Sequence, residues 1–238
     1  MLEGQRMRVR ESVNRIVQLL VAIFQARFPR MRWLETSWEG LLREMVSRQG
    51  RMHIQPVRWV SPQGGWKLNS DGYSRGNPGL SGGGGLVRDR HGNFVFGYSG
   101  HFGTLTSLHV ELRALLLGVK YCIARGFLEL HLEANSLTLI RLVQGASTCP
   151  WQLQRELDEL LQFRQYFRTI SYCYKEANSP ADCLANYGAN SNAGQVFNGF
   201  SDLPRLVRGD IRMDKLGFPM FCRRVVGYVS LHLYLVYA

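Results

Sequence analysis

A chain of 238 residues, 45% hydrophobic and 20% charged, can bury a core of its own, which excludes global disorder. Its net charge of +11 suggests a polyanionic partner, and the excess lies at the two ends: residues 1–60 carry eleven Arg against five Glu, whereas residues 66–190 hold twelve basic and ten acidic groups. Five Cys, odd in number and without a CxxC pair, argue against a disulfide framework or a zinc site and for a reducing intracellular compartment, nuclear or cytoplasmic. An Arg-rich start leaves organelle import open, although Glu3 and Glu11 count against a transit segment.

Residues 9–28 place Val9, Val13, Ile16, Val17, Leu20 and Phe24 at spacings of three and four, which predicts an amphipathic helix ending before Pro29. The apolar run at 19–24 is far shorter than the ~20 residues that span a bilayer. A second helix is predicted over 36–48, with Trp38, Leu41, Leu42 and Met45 on one side. Pro56, Pro62 and Gly64-Gly65 then mark a linker over 50–65. The chain therefore reads as three parts: a basic helical extension and linker over 1–65, a globular domain over 66–190, and a tail over 191–238 that is basic and then apolar. The apolar end at 225–238 is too short for a membrane anchor and reads as an added strand or an irregular extension.

Within the globular part, Trp66 and Leu68 alternate with Lys67 and Asn69, the period of a half-buried strand. That strand is predicted to end on Asp71, followed by a turn cluster of Ser74, Gly76, Asn77, Pro78 and Gly79. Two further strands, 82–88 and 94–101, flank the hairpin turn Asp89-Arg90-His91-Gly92-Asn93. The run Gly82 to Gly85 has no Lys-Ser/Thr after it, so close packing explains it better than a phosphate cradle does. Residues 107–125 form the strongest helical pattern, with Leu112, Leu115, Leu116, Val119 and Ile123 as its stripe, Glu111 in its first turn and Gly126 past its end. A strand at 128–133, helices at 136–144 and 151–166, a strand at 169–174 and a helix at 181–187 opened by Pro180 complete the domain. Hairpins first and crossovers later imply an α/β fold, a mixed sheet of five strands flanked by helices.

Four acids stand at element ends: Asp71, Glu111, Glu133 and Asp182. Carboxylates gathered in space repel one another unless a cation joins them, and an all-oxygen set suits Mg²⁺. Two such ions can clamp the attacking and leaving oxygens of a phosphodiester. No pattern for a small-molecule cofactor accompanies them.

In combination the pieces KLNSDG with GNPG, GGGGLVRDRHGNFVFGYS, HVELRALLLGV, LELHLEANS and YKEANSPADCLA resemble the type 1 ribonuclease H domain over about 66–189. The likeness is strongest to the plant group related to reverse-transcriptase-associated ribonuclease H, and LPRLVRGDIRMDKLGFP is similar to the segment that ends many of its members. The resemblance implies hydrolysis of the RNA strand of RNA–DNA hybrids with two Mg²⁺ ions, Mn²⁺ being the alternative. It implies Asp71, Glu111 and Asp182 as metal ligands, and Asn77 and Ser107 as contacts to the hybrid. At the remaining ligand position the family has an acid and this chain has Asn135, within Glu133-Ala134-Asn135-Ser136. That departure implies weakened catalysis, with Glu133 on the same strand face as the nearest substitute, or else a module that binds hybrid or double-stranded RNA and cuts poorly.

Overall fold

The computed structural model describes residues 2–27, 37, 39–40, 43, 51–191 and 193–226. Two units divide the chain: residues 1–54 with 223–238, and residues 55–222. In the first unit, α1 (Leu2–Arg27) fulfils the helix expected at 9–28 and begins earlier. Val17 on it is buried, while Val13, Ile16, Leu19 and Ile23 are exposed. The helix expected over 36–48 and the end of the apolar tail fall largely outside the described residues.

β1 (Arg51–Val57) occupies the stretch read as linker and pairs with the last strand, β8 (Met220–Val226), as a two-stranded sheet. The larger sheet is built from β2 (Trp66–Gly76), β3 (Gly79–Arg88), β4 (Phe94–Leu105), β5 (Leu130–Ala134), β6 (Phe167–Tyr172) and β7 (Gln195–Phe197). Their order is β6-β5-β2-β3-β4-β7, with β2, β3, β4 and β7 antiparallel in turn and β5 and β6 parallel to β2. The sheet thus has six strands where five were expected. The extra strand, β7, is three residues long, too short to leave a periodic pattern, and it lies in the segment read as tail.

Helices α2 (Ser107–Ala124), α3 (Leu137–Val143) and α4 (Gln154–Leu161) cover one face of the sheet. Leu112, Leu115, Leu116 and Val119 of α2 meet Leu68, Val87 and Leu132 of the sheet in one apolar cluster. Helices α5 (Ser179–Asn190) and α6 (Arg205–Lys215) cover the other, where Leu86, Ala181, Leu184, Phe197, Val207 and Ile211 form a second cluster. Adjacent Leu86 and Val87 on β3 point into opposite clusters, as strand alternation requires. The glycine run is what lets α5 lie so close. A Cβ at Gly82 would stand 2.1 Å from Ala189 N, and one at Gly84 2.4 Å from Ala185 N.

α6 was not anticipated as an element, and it seals the second cluster. Its Asp214 pairs with Arg88, which is fully buried, at 2.6 Å. Among the described residues, no helix is long and apolar enough to cross a membrane.

Candidate metal and nucleic-acid site

β2 does not stop at Asp71. It runs on to Gly76, so Asp71 lies in mid-strand, opposite Gly84 of β3, and only 2% exposed. The turn comes later, at Asn77-Pro78, because the β2–β3 ladder closes only at Gly76–Gly79. Glu111 is likewise one turn further along than expected: α2 starts at Ser107 and its first turn holds no acid.

Three packing relations assemble the site. Gly72, next to Asp71, has no side chain, and a Cβ there would lie 2.5 Å from Glu111 N, so the α2 backbone presses directly on β2 beside the carboxylate. The parallel register pairs Ser70 with Ala134, which brings Asn135, the next residue, alongside Asp71. α5, seated on the glycines of β3, carries Asp182 in its first turn.

The Asp182 charge bears on the ionisation of Asp71, and Asp71 on that of Glu111. Burial first, then the Asp182 charge, pushes the Asp71 carboxyl up to about 8, against Lys175 and the Gly72 N–H, which pull it down. Burial and then Asp71 push Glu111 well above the usual carboxylate range. Glu111 Oε2 is buried and has no hydrogen-bond partner.

Asn135 joins the same group through its amide. Its Nδ2 donates to Asp71 Oδ2 at 3.4 Å, and its Oδ1 accepts from Asn178 Nδ2 at 3.3 Å. The amide therefore turns its donor toward Asp71 and its oxygen away, toward Asn178. Asn178 Nδ2 also donates to the Ser70 carbonyl at 2.9 Å, and its Oδ1 accepts from Asn69 Nδ2 at 3.2 Å. Asn69 in turn accepts from Trp59 Nε1 and from Arg88 Nη2, both at 2.9 Å. A continuous polar chain thus runs from Asp214 on α6, through Arg88, Asn69, Asn178 and Asn135, to Asp71.

Glu133, the nearest acid to Asn135 on that strand, has partners of its own. Its carboxylate is held by the Lys67 ammonium and by Asn69 Nδ2, at 3.0 Å for the latter. A cation and an amide on β2 face it across the sheet and keep it there.

Lys175, which the sequence did not single out, does belong to the site. It opens the short 3₁₀ turn before α5, and its Nζ lies 3.2 Å from Asp182 Oδ1. Asn77 and Ser107 meet at the rim, where Asn77 Oδ1 accepts the Ser107 N–H at 3.1 Å and so caps the start of α2 from outside the helix.

The three carboxylates fit a divalent cation in kind, since all are oxygen donors and one oxygen is orphaned. Among the described residues, no three His, Cys, Asp or Glu side chains are already arranged around a metal-sized centre. The Lys175 ammonium and the Asn135 amide engage two of the three acids instead.

A family model described as reverse transcriptase-like matches residues 69–188. A protein of Arabidopsis thaliana that bears the name of a ribonuclease H is 28% identical over 217 residues, 90% of this chain and 33% of that one. The chain therefore spans about a third of the length of this curated relative. The N-terminal RNase H domain of rv2228c from Mycobacterium tuberculosis, solved as a fusion with maltose binding protein, superposes with a TM-score of 0.50 at 25% identity, covering 52% of this chain and 93% of the other. LC11-RNase H1, solved in complex with RNA/DNA hybrid, shares the fold with a TM-score of 0.50 at 24% identity, covering 52% and 96%.

Proposed function

Because the chain belongs to the reverse transcriptase-like family, through a domain of type 1 ribonuclease H form, we propose that it is a metal-dependent nuclease of reduced activity, acting on the RNA strand of RNA–DNA hybrids. The observation that carries this reading is the packing that gathers the three acids: Gly72, beside Asp71, lies against the backbone of Glu111, and α5, seated on the β3 glycines, carries Asp182 in its first turn. In water-excluded surroundings such a group takes up protons or a cation, and its oxygens are the ligands Mg²⁺ or Mn²⁺ prefers. Bound there, divalent cations would supply Lewis-acid polarisation of the phosphodiester and an activated water.

The chain's own residues divide the remaining work. Asp71 is held rigidly in mid-strand by the Gly72 N–H, which donates to its Oδ1 at 2.8 Å. Glu111 offers an oxygen that nothing in the fold uses. Asp182 sits at the rim, less buried than Asp71. Asn77 and Ser107, joined by a hydrogen bond at the exposed rim, would contact the sugar–phosphate backbone of an A-form-like duplex, which proteins read through backbone and 2′-hydroxyls. The Arg-rich first sixty residues add salt-sensitive affinity for the polyanion.

Asn135 sets the rate in this reading. It removes one negative charge and presents a donor to Asp71 where a ligand is needed. The same observation favours a second reading, a module that binds hybrid and cuts negligibly. Labelled RNA–DNA hybrid incubated with Mg²⁺ or Mn²⁺ and the wild type, Asn135→Asp or Asp71→Asn separates the two. The nuclease reading expects slow cleavage by wild type, none by Asp71→Asn, and a gain of roughly tenfold or more for Asn135→Asp, about 1.4 kcal/mol of barrier. Equally fast cleavage by wild type and Asn135→Asp would remove Asn135 as the limiting feature. Absence of cleavage in all three, with hybrid binding that weakens steeply in salt, would establish the binding module.

A further inference from the structure

We propose that the Lys175 ammonium is a built-in counterion of the carboxylate cluster, which a divalent cation must displace, so that Lys175 sets the cation affinity of the site. The inference rests on the reading of Asp71, Glu111 and Asp182 as a cation site and goes beyond it to a residue outside the ligand set.

The placement of Lys175 is specific. It stands in the turn Lys175–Asn178, immediately ahead of the helix that carries Asp182, and its Nζ reaches Asp182 Oδ1 at 3.2 Å. The other cations with ion pairs among the described residues are committed elsewhere: Lys67 to Glu133, Arg88 to Asp214, Arg113 to Glu156, Lys120 to Glu159 and Arg168 to Glu129. Lys175 alone among them meets an acid of the cluster.

The geometry also permits departure. The Lys175 side chain is 68% exposed, whereas that of Asp182 is 26% exposed. A long, solvated stem can swing out by rotamer change without unpacking the core. A divalent ion and an ammonium cannot share one carboxylate oxygen at contact distance without strong mutual repulsion, so gain of one requires loss of the other. The ammonium would thus neutralise part of the cluster when no cation is bound and yield when one arrives.

Mn²⁺ titration of the full chain by calorimetry tests this, with wild type, Lys175→Met, Lys175→Arg and Asp182→Asn compared. Met keeps the length of the stem and removes the charge, while Arg keeps the charge. The proposal expects Lys175→Met to bind Mn²⁺ roughly fivefold more tightly, the size of a partly exposed ion pair. Lys175→Arg should stay near wild type, and Asp182→Asn should bind more weakly. Equal or weaker binding by Lys175→Met, with Asp182→Asn still impaired, would overturn the role of Lys175 and leave the cation site standing. Failure of wild type and Lys175→Met alike to bind Mn²⁺, or binding indifferent to Asp182→Asn, would overturn the cation site and the proposal together. Thermal melts of each variant identify any loss of fold, and the exposed Lys175→Met is expected to melt as wild type does.

Discussion

Replacing Asp214 by Ala tests how far α6 belongs to the core of the ribonuclease H-like domain. Arg88 is 0% exposed and Asp214 9%, and they meet at 2.6 Å. Burial pulls the Arg88 guanidinium down and pushes the Asp214 carboxyl up, and against burial each has the other as its largest favourable partner, with Glu133 adding to the support of Arg88. The guanidinium also lies 3.6 Å over the Trp59 ring and donates to Asn69, but its Nε has no partner. Without Asp214, a full charge would remain buried against an aromatic face and one amide oxygen. Breaking such a pair costs about 3–5 kcal/mol. That is a large share of the roughly 5–15 kcal/mol by which a domain is stable. At about 2–4 °C per kcal/mol for a domain of this size, the melting midpoint should fall by roughly 6–20 °C. Urea unfolding followed by tryptophan fluorescence measures the change directly. The double variant Arg88→Met with Asp214→Leu should recover much of the loss, because it removes both charges and keeps the volume. A loss below about 1 kcal/mol for Asp214→Ala would refute the reasoning, since the pair would then behave as a solvated surface ion pair.

Two further outcomes follow from the same structure. Asp71 has a folded-state pKa of about 8 against an ordinary 3.8, and Glu111 is displaced in the same direction. The folded state therefore binds more protons than the unfolded state between about pH 4 and 8, so without divalent cation the stability falls as pH rises through that window. The slope is at most about 1.4 kcal/mol per pH unit for each such proton, and saturating Mg²⁺ should flatten it. Denaturation at several pH values, with and without Mg²⁺, reads this out, and stability that rises with pH across the window in the metal-free protein would contradict it. Gly84→Ala would set a Cβ 2.4 Å from backbone N of Ala185, where no flexible side chain can give way, so a loss of roughly 1–3 kcal/mol or more is expected from the shift of α5. An unchanged midpoint in the same urea assay would show that the helix is not seated as described.

The elements with long, regular patterns were legible from residue types alone. α2 shows its stripe as Leu112, Leu115, Leu116 and Val119, all buried, because a periodic apolar face is sufficient to define a helix and its inward side. The acids Asp71, Glu111 and Asp182 were nameable from their places at element ends, and the departure at Asn135 only from the resemblance to the ribonuclease H family. Boundaries and short elements were not. β2 runs past Asp71 because pairing with β3 continues to Gly76, and a pairing partner is a property of two strands. β7, three residues long, has too little sequence to carry a period.

What only the tertiary structure decided is the polar wiring. Nothing local to Glu133 says that Lys67 and Asn69 will claim it. The direction of the Asn135 amide depends on Asn178, forty-three positions away, and the charge on buried Arg88 depends on Asp214, a hundred and twenty-six away. Apolar burial is largely a sum over residues, so it leaves a pattern in the chain. A hydrogen bond or ion pair has one partner and one direction, and only the folded backbone chooses it. The sequence by itself therefore determined the layers of this protein and which acids it could bring to a site. Folding determined that Glu133 pairs with Lys67 and Asn69, that the Asn135 oxygen faces Asn178, and that Lys175 meets Asp182.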